Sequence, residues 1–289
     1  MSVIIRLIHL LRYRFFLFAG IFPFLLGQVI AFYVKKAINW HYFWWASAGI
    51  FLVLIGVELF NEYFDAKDGG DRIFSQKEPN IPDSFFLLAL SSMLFAFFIA
   101  VYLALHIGWP ILLFSILGFF GAYFYVGPPL KWAYRGLGEL VIGLSYGPFM
   151  VLGSYYLQTG EINSIPFIAS LICGLLIFSL AILNEVPDYI QDSLVGKRNL
   201  VVRFGRQKAV ALAGMSLVCA FILLGIGIWQ EKIPYLALSG FFALPLLLKA
   251  ARIAGENMER PEYFIPVIRI GVALYLIIAS FLGISYLIV

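Results

Sequence analysis

Apolar residues run in blocks of roughly twenty, separated by short polar stretches, and the pattern recurs nine times along the chain, at 15–34, 42–62, 84–105, 109–127, 138–157, 165–185, 208–229, 233–251 and 263–288. A helix needs about 20 apolar residues to cross the hydrocarbon core of a bilayer. Lipid offers the backbone no hydrogen-bond partners, so each block must satisfy its own amides as a helix. The pattern therefore predicts an all-α integral membrane protein of about nine transmembrane helices. No long polar or Ser/Gly-rich linker interrupts the series, so residues 1–289 read as one membrane domain. The first apolar block follows Arg6, Arg12 and Arg14 and lacks a small-residue cleavage site, so it reads as a first helix and not as a removable signal.

The polar positions give the expected orientation. With the N-terminus in the cytoplasm, sixteen of the 20 Lys and Arg residues fall on the cytoplasmic side, and only Lys35, Lys36 and Lys232 fall on the other, with Arg269 unassigned. That asymmetry obeys the positive-inside rule and places the C-terminus on the opposite side. The longer loops, 61–83, 128–138 and 186–207, are all inner loops, so polar chemistry is expected there.

Composition narrows the class further. Only 12% of residues are charged, against about 25% in a soluble domain. The net charge of +4 is scattered through short loops, which argues for topology and against a nucleic-acid partner. Cys173 and Cys219 lie inside apolar runs and offer neither a disulfide framework nor a zinc site. The 29 Phe, 16 Tyr and 6 Trp exceed what two interfacial belts need, leaving aromatics for packing or for an apolar cavity.

Two acidic clusters carry the chemistry. In VELFNEYFDAKDGGD, residues 57–71, Glu58, Asn61, Asp65 and Asp68 fall along one helical stripe, with Asp71 beyond a Gly69-Gly70 break. In LNEVPDYIQD, residues 183–192, Asn184, Asp188 and Asp192 recur every four residues and would share a face, with Pro187 loosening the backbone between them. Carboxylates at such spacings repel one another and lose solvation near a membrane, so a cation should neutralise them. Hard oxygen donors suit Mg2+, which takes one or two carboxylates and completes its shell with water and substrate phosphates. Two facing clusters could hold two Mg2+ ions around a diphosphate. Both clusters read Asn-x-x-x-Asp and end the second helix of a four-helix half, which hints at an internal duplication.

Cations for a diphosphate stand nearby: Lys67, Arg72, Lys131, Arg135, Lys197 and Arg198, with Tyr125 at the end of the fourth block. On residues alone, a cation-coupled secondary transporter or a lipid-binding scaffold remains open, although transporter acids sit near the bilayer midplane and only Glu58 is placed so.

The stretch NEYFDAKDGGD, residues 61–71, resembles the first Asp-rich motif of the UbiA superfamily of intramembrane prenyltransferases, with Glu62 in place of the usual second-position Asp. NEVPDYIQDSLVGKRNLVVRFG, residues 184–205, resembles the second motif. YVGPPLKWAYRGLGELVIGLSYGPFMVLGSYYLQTG, residues 125–160, is similar to the branch containing 1,4-dihydroxy-2-naphthoate polyprenyltransferases. The resemblance implies nine helices around a central cavity, with Mg2+ and an isoprenyl diphosphate under a cap of cytoplasmic loops. It implies that Asn61, Asp65, Asp68, Asn184, Asp188 and Asp192 bind metal and diphosphate, with Asp71 closing the first motif. The implied reaction moves a prenyl chain from an isoprenyl diphosphate to an aromatic acceptor, of the 1,4-dihydroxy-2-naphthoate type used for menaquinone-like quinones. Other lipophilic acceptors stay open: 4-hydroxybenzoate, a glyceryl phosphate lipid or a chlorophyllide. The segment RIFSQKEPNIPDS, residues 72–84, departs from the Arg-Pro-rich segment of the 4-hydroxybenzoate and chlorophyll branches. No His lies in either cluster, so a His base is not indicated.

Overall fold

The structure, a computed structural model, describes residues 14–68 and 81–288. Helix follows helix, with no strand among the described residues. The order is α1 (Arg14–Lys35), α2 (Trp40–Asp68), α3 (Ser84–Ile107), α4 (Pro110–Val126), α5 (Gly138–Leu144), α6 (Met150–Thr159), α7 (Ser164–Glu185), α8 (Tyr189–Leu194), α9 (Leu200–Phe204), α10 (Arg206–Trp229), α11 (Leu244–Asn257) and α12 (Pro261–Ile288). Two 3₁₀ stretches, Trp132–Arg135 and Tyr235–Ala243, precede α5 and α11.

Among the described residues, seven helical segments are long and apolar enough to cross a membrane. Two more apolar stretches are Ala19–Lys35, which is part of α1, and the 17-residue Pro110–Val126. Each of the nine expected blocks thus falls on an apolar helical segment. Pro110 starts α4, where its missing N–H costs nothing. Asn163 caps α7 by accepting from the Ile165 amide.

One expected span is built differently from a plain helix. The segment Gly138–Thr159 passes through a π-helical turn at Ser145–Phe149 that contains Pro148. Proline cannot donate to the helical ladder, and the widened turn accommodates the gap. Close by, Gly147 meets Gly174 of α7 so tightly that a methyl group at Gly147 would collide with the Gly174 backbone. In lipid, where helix association depends on packing, such small residues let two backbones approach.

The core centres on α7. Ile172, Leu176, Ile177 and Leu180 are fully buried there, and α7 packs against α5, α10 and α12. A helix apolar on all sides belongs in the middle of a bundle. Because successive spans alternate in direction, the C-terminal ends of α2, α4 and α7 and the N-terminal ends of α5 and α10 share one end of the bundle. At the other end, Lys35 pairs with Glu161 at 2.9 Å, and Tyr286 donates to the Lys232 carbonyl at 2.7 Å.

Candidate active site

The acidic residues gather at the first of those two ends. Asn61 lies two turns before the end of α2, and its side-chain oxygen is buried without a hydrogen-bond partner among the described residues. One turn deeper, Glu58 Oε1 is in the same condition. Asn61 lines a cavity together with Tyr125 of α4, Val141 of α5 and Ser145 of the π turn. The helix register carries Asp65 and Asp68 onward from Asn61 along one face of α2. Asp71 and Arg72 lie outside the described residues.

The second cluster departs from its expected shape. A single continuous face for Asn184, Asp188 and Asp192 does not form, because α7 stops at Glu185 and Pro187 follows in the turn. Asn184 remains at the helix end, half-buried. Asp188 is the exposed N-cap of the separate helix α8, and Asp192 sits inside α8, only 6% exposed.

Asp192 is held by Lys197, one of the expected cations, and by Asn199, which the spacing did not single out. Asn199 donates to Asp192 Oδ2 at 2.6 Å and to Glu185 Oε2 at 2.8 Å, while its own oxygen caps α9 through the Val202 amide at 2.8 Å. Lys197 Nζ lies 3.2 Å from Glu185 Oε2 and 3.5 Å from Asp192 Oδ1. Burial pushes the Asp192 carboxyl up to about 8; the neighbouring Glu185 adds to the rise and Lys197 opposes it. Asp188 is exposed as a residue, but its carboxyl is partly desolvated by its neighbours and is raised as well, first by that desolvation and then by Glu185. Asn199 was legible as an N-cap before LVVRF; its bonds to two carboxylates from other elements were not.

A chain of neighbours joins the two clusters. Glu139, at the start of α5 and 2% exposed, accepts the Leu200 amide at 2.8 Å, next to Asn199. A side chain at Gly138 would press on the Tyr125 ring, and Tyr125 shares the cavity with Asn61. The Asn61 region thus connects through α4 and α5 to the Asn199–Asp192 group.

The expected cations divide. Lys197 is in the cluster. Lys67 donates to Tyr63, stands 4.3 Å above its ring and lies 3.5 Å from Asp83, so in this structure it serves the loop before α3. Lys131, with a left-handed φ of +44°, lies over the Tyr134 ring at 5.3 Å. Arg135 donates to the Pro129 carbonyl at 3.1 Å, and Arg198 is exposed with its carbonyl accepting from Arg203. Lys131, Arg135 and Arg198 therefore border the site in the loops 128–138 and 196–200.

The pattern of the UbiA prenyltransferase family matches residues 20–277, which include both clusters and the α4–α5 connection. The chain belongs to the UbiA prenyltransferase family. Among UbiA relatives it is 30% identical to a 1,4-dihydroxy-2-naphthoate octaprenyltransferase of Bacillus subtilis, over 83% of this chain and 79% of that protein. The fold is similar to that of a digeranylgeranylglyceryl phosphate synthase, with a TM-score of 0.72 at 17% identity, covering 97% of both chains. It is also similar to a UbiA homologue from Archaeoglobus fulgidus bound to GPP and Mg2+, with a TM-score of 0.64 at 15% identity, covering 95% of this chain and 98% of that one. As a UbiA protein with these spans, the chain is a multi-pass membrane prenyltransferase.

A site like that of the Archaeoglobus homologue, which is bound to GPP and Mg2+, needs donors for a hard cation. No three His, Cys, Asp or Glu side chains among the described residues converge tightly enough to hold a metal by themselves. The donors that are present fit Mg2+ nonetheless, since this ion needs only one or two protein carboxylates. All are oxygens, and the buried, unpartnered Asn61 oxygen lacks the ligand such an atom requires.

Proposed function

We propose that this prenyltransferase transfers the chain of an isoprenyl diphosphate to an aromatic acceptor of the 1,4-dihydroxy-2-naphthoate type, with Mg2+ as cofactor and two ions in the site. The observation that carries the reading is the meeting of an unpartnered buried oxygen, on Asn61, with an apolar cavity leading away from it. A phosphorylated lipid needs both, a polar grip for its head and an apolar path for its tail. The likeness to the Bacillus enzyme supports the acceptor class, and the likeness to the Archaeoglobus structure with GPP and Mg2+ supports the donor and the ion.

In this reading Asn61, Asp65, Asp68, Asp71, Asp188 and Asp192 hold the metal, and Asn184 joins Asn61 on the diphosphate. Mg2+, when bound, would neutralise the negative charge that collects on the leaving diphosphate. Lys197 shares that task from the second cluster, and Tyr125, Lys131, Arg135 and Arg198, with Lys67 from the last turn of α2 and Arg72 beyond it in sequence, supply further donors around the head group. The allylic C–O bond breaks with its electron pair leaving on the diphosphate. The electron-rich acceptor carbon then forms the new C–C bond and loses a proton. Val141 and the apolar faces of α4 and α5 keep water from the allylic cation. The excess of Lys and Arg in the loops at this end supports a head group and cap facing the cytoplasm, with the C-terminus opposite.

The test uses membranes supplied with labelled isoprenyl diphosphate, Mg2+ and 1,4-dihydroxy-2-naphthoate. The wild type is expected to form a prenylated naphthoate, and Asp188→Ala to lose at least about 100-fold in turnover, as metal-site and charge-stabilising groups do. Full turnover by Asp188→Ala, or product formed only with 4-hydroxybenzoate, a glyceryl phosphate or a chlorophyllide, would overturn the assignment.

A further inference from the structure

The cavity beside Asn61 does not end there. A second, larger cavity of about 150 Å³ lies between α2, α3, α4 and the π turn with α6, and it shares Val53, Gly118, Ser145 and Met150 with the first. Nearly all of its lining is apolar. It runs back along α4 from the level of Tyr125 to that of Ile111 and along α2 from Asn61 to Ala46. Fourteen residues of α4 correspond to about 21 Å at about 1.5 Å per residue.

Gly118 stands at the junction. A β-carbon added there would meet nothing within 4 Å, although both cavities border the residue. The two cavities adjoin at this residue, which carries no side chain to separate them. The far end is closed. Phe24, Leu103, Ile111 and Leu157 pack there as buried side chains, and behind them Gln28 donates to the Ser154 carbonyl at 3.0 Å and to its hydroxyl at 2.9 Å, while Gln158 donates to Gln28 at 2.7 Å. Breaking that buried polar seam to admit hydrocarbon would leave its donors unpaired.

Resting on the function proposed above, we infer that Gly118 is the gate of a closed-ended channel for the prenyl chain, and that the Leu103–Leu157 floor sets the length of chain the channel holds. An isoprene unit adds four carbon–carbon bonds of about 1.5 Å, hence about 5 Å of nearly extended chain. The full channel takes about four units, and the part above Gly118, seven residues or about 10 Å of α4, takes about two.

The readout is the ratio of kcat/KM for geranylgeranyl diphosphate, with four units, to that for geranyl diphosphate, with two, at fixed acceptor. Gly118→Phe is expected to lower this ratio at least about 30-fold, because the third and fourth units lose their apolar burial. Leu157→Ala is expected to act in the opposite sense at the floor, raising use of a five-unit diphosphate relative to geranylgeranyl diphosphate several-fold, about the effect of added apolar space. It also serves if Gly118→Phe fails to fold. Active variants whose length ratios equal those of the wild type would overturn the channel and leave the prenyltransferase reading intact. A folded wild type that forms product from no isoprenyl diphosphate would instead remove the functional reading, and this inference with it.

Discussion

Lys197 Nζ lies 3.2 Å from Glu185 Oε2, so the last residue of α7 is pinned to the loop that follows α8. The same ammonium reaches Asp192 at 3.5 Å, and Asn199 spans both carboxylates. This lysine and this amide offset the repulsion between the two carboxylates of the second acidic cluster.

Asn199→Ala removes two donors from buried carboxylates and the cap of α9 together. An N-cap is worth about 1 kcal/mol and an unsatisfied buried group about 1–3 kcal/mol. The variant is expected to lower the thermal unfolding midpoint in detergent, and added Mg2+ with diphosphate should recover part of the loss by ligand linkage. A midpoint equal to that of the wild type would contradict the strut role.

Asn61 presents an unpartnered oxygen, so its replacement should be felt in function before stability. Asn61→Ala is expected to keep the unfolding free energy within about 1 kcal/mol of the wild type, since an orphaned polar atom is removed, and to raise the KM for isoprenyl diphosphate about 10-fold or more. Asn61→Leu tests the same point with volume retained.

Chelation offers a separate check. Washing membranes with EDTA is expected to abolish prenyl transfer, and Mg2+ to restore it. Because oxygen-only donors select hard cations, Mn2+ should substitute better than Zn2+. Turnover that survives thorough chelation would rule out the metal.

Gly147→Leu drives a side chain into the backbone of Gly174. Neither backbone can yield as a flexible side chain would, so the α7 packing should be lost. The expected result is little monodisperse protein by size-exclusion chromatography, whereas Gly214→Leu, where an added β-carbon meets nothing within 4 Å, should behave as the wild type.

The apolar blocks were enough to predict an all-helical membrane protein, because the cost of exposing backbone amides to lipid leaves a chain so apolar no other regular structure. The helix under the first acidic cluster was legible for a similar reason: α2 continues unbroken through Asn61 to Asp68, as its apolar run and helical spacing predict. The same spacing failed at the second cluster, where Pro187 ends α7 and Asp192 turns inward from a different helix.

Tertiary structure alone decided the rest. Glu185, Asn199 and Glu139 enter the site through contacts across 14 and 61 positions in sequence, and no local period encodes such pairings. The channel depends likewise on an absence, the missing side chain of Gly118 opposite α2 and α6. A sequence can announce which stretches must be helices in lipid and which acids need a cation. Where empty space remains between those helices depends on how their side chains pack, which the order of residues along one helix does not record.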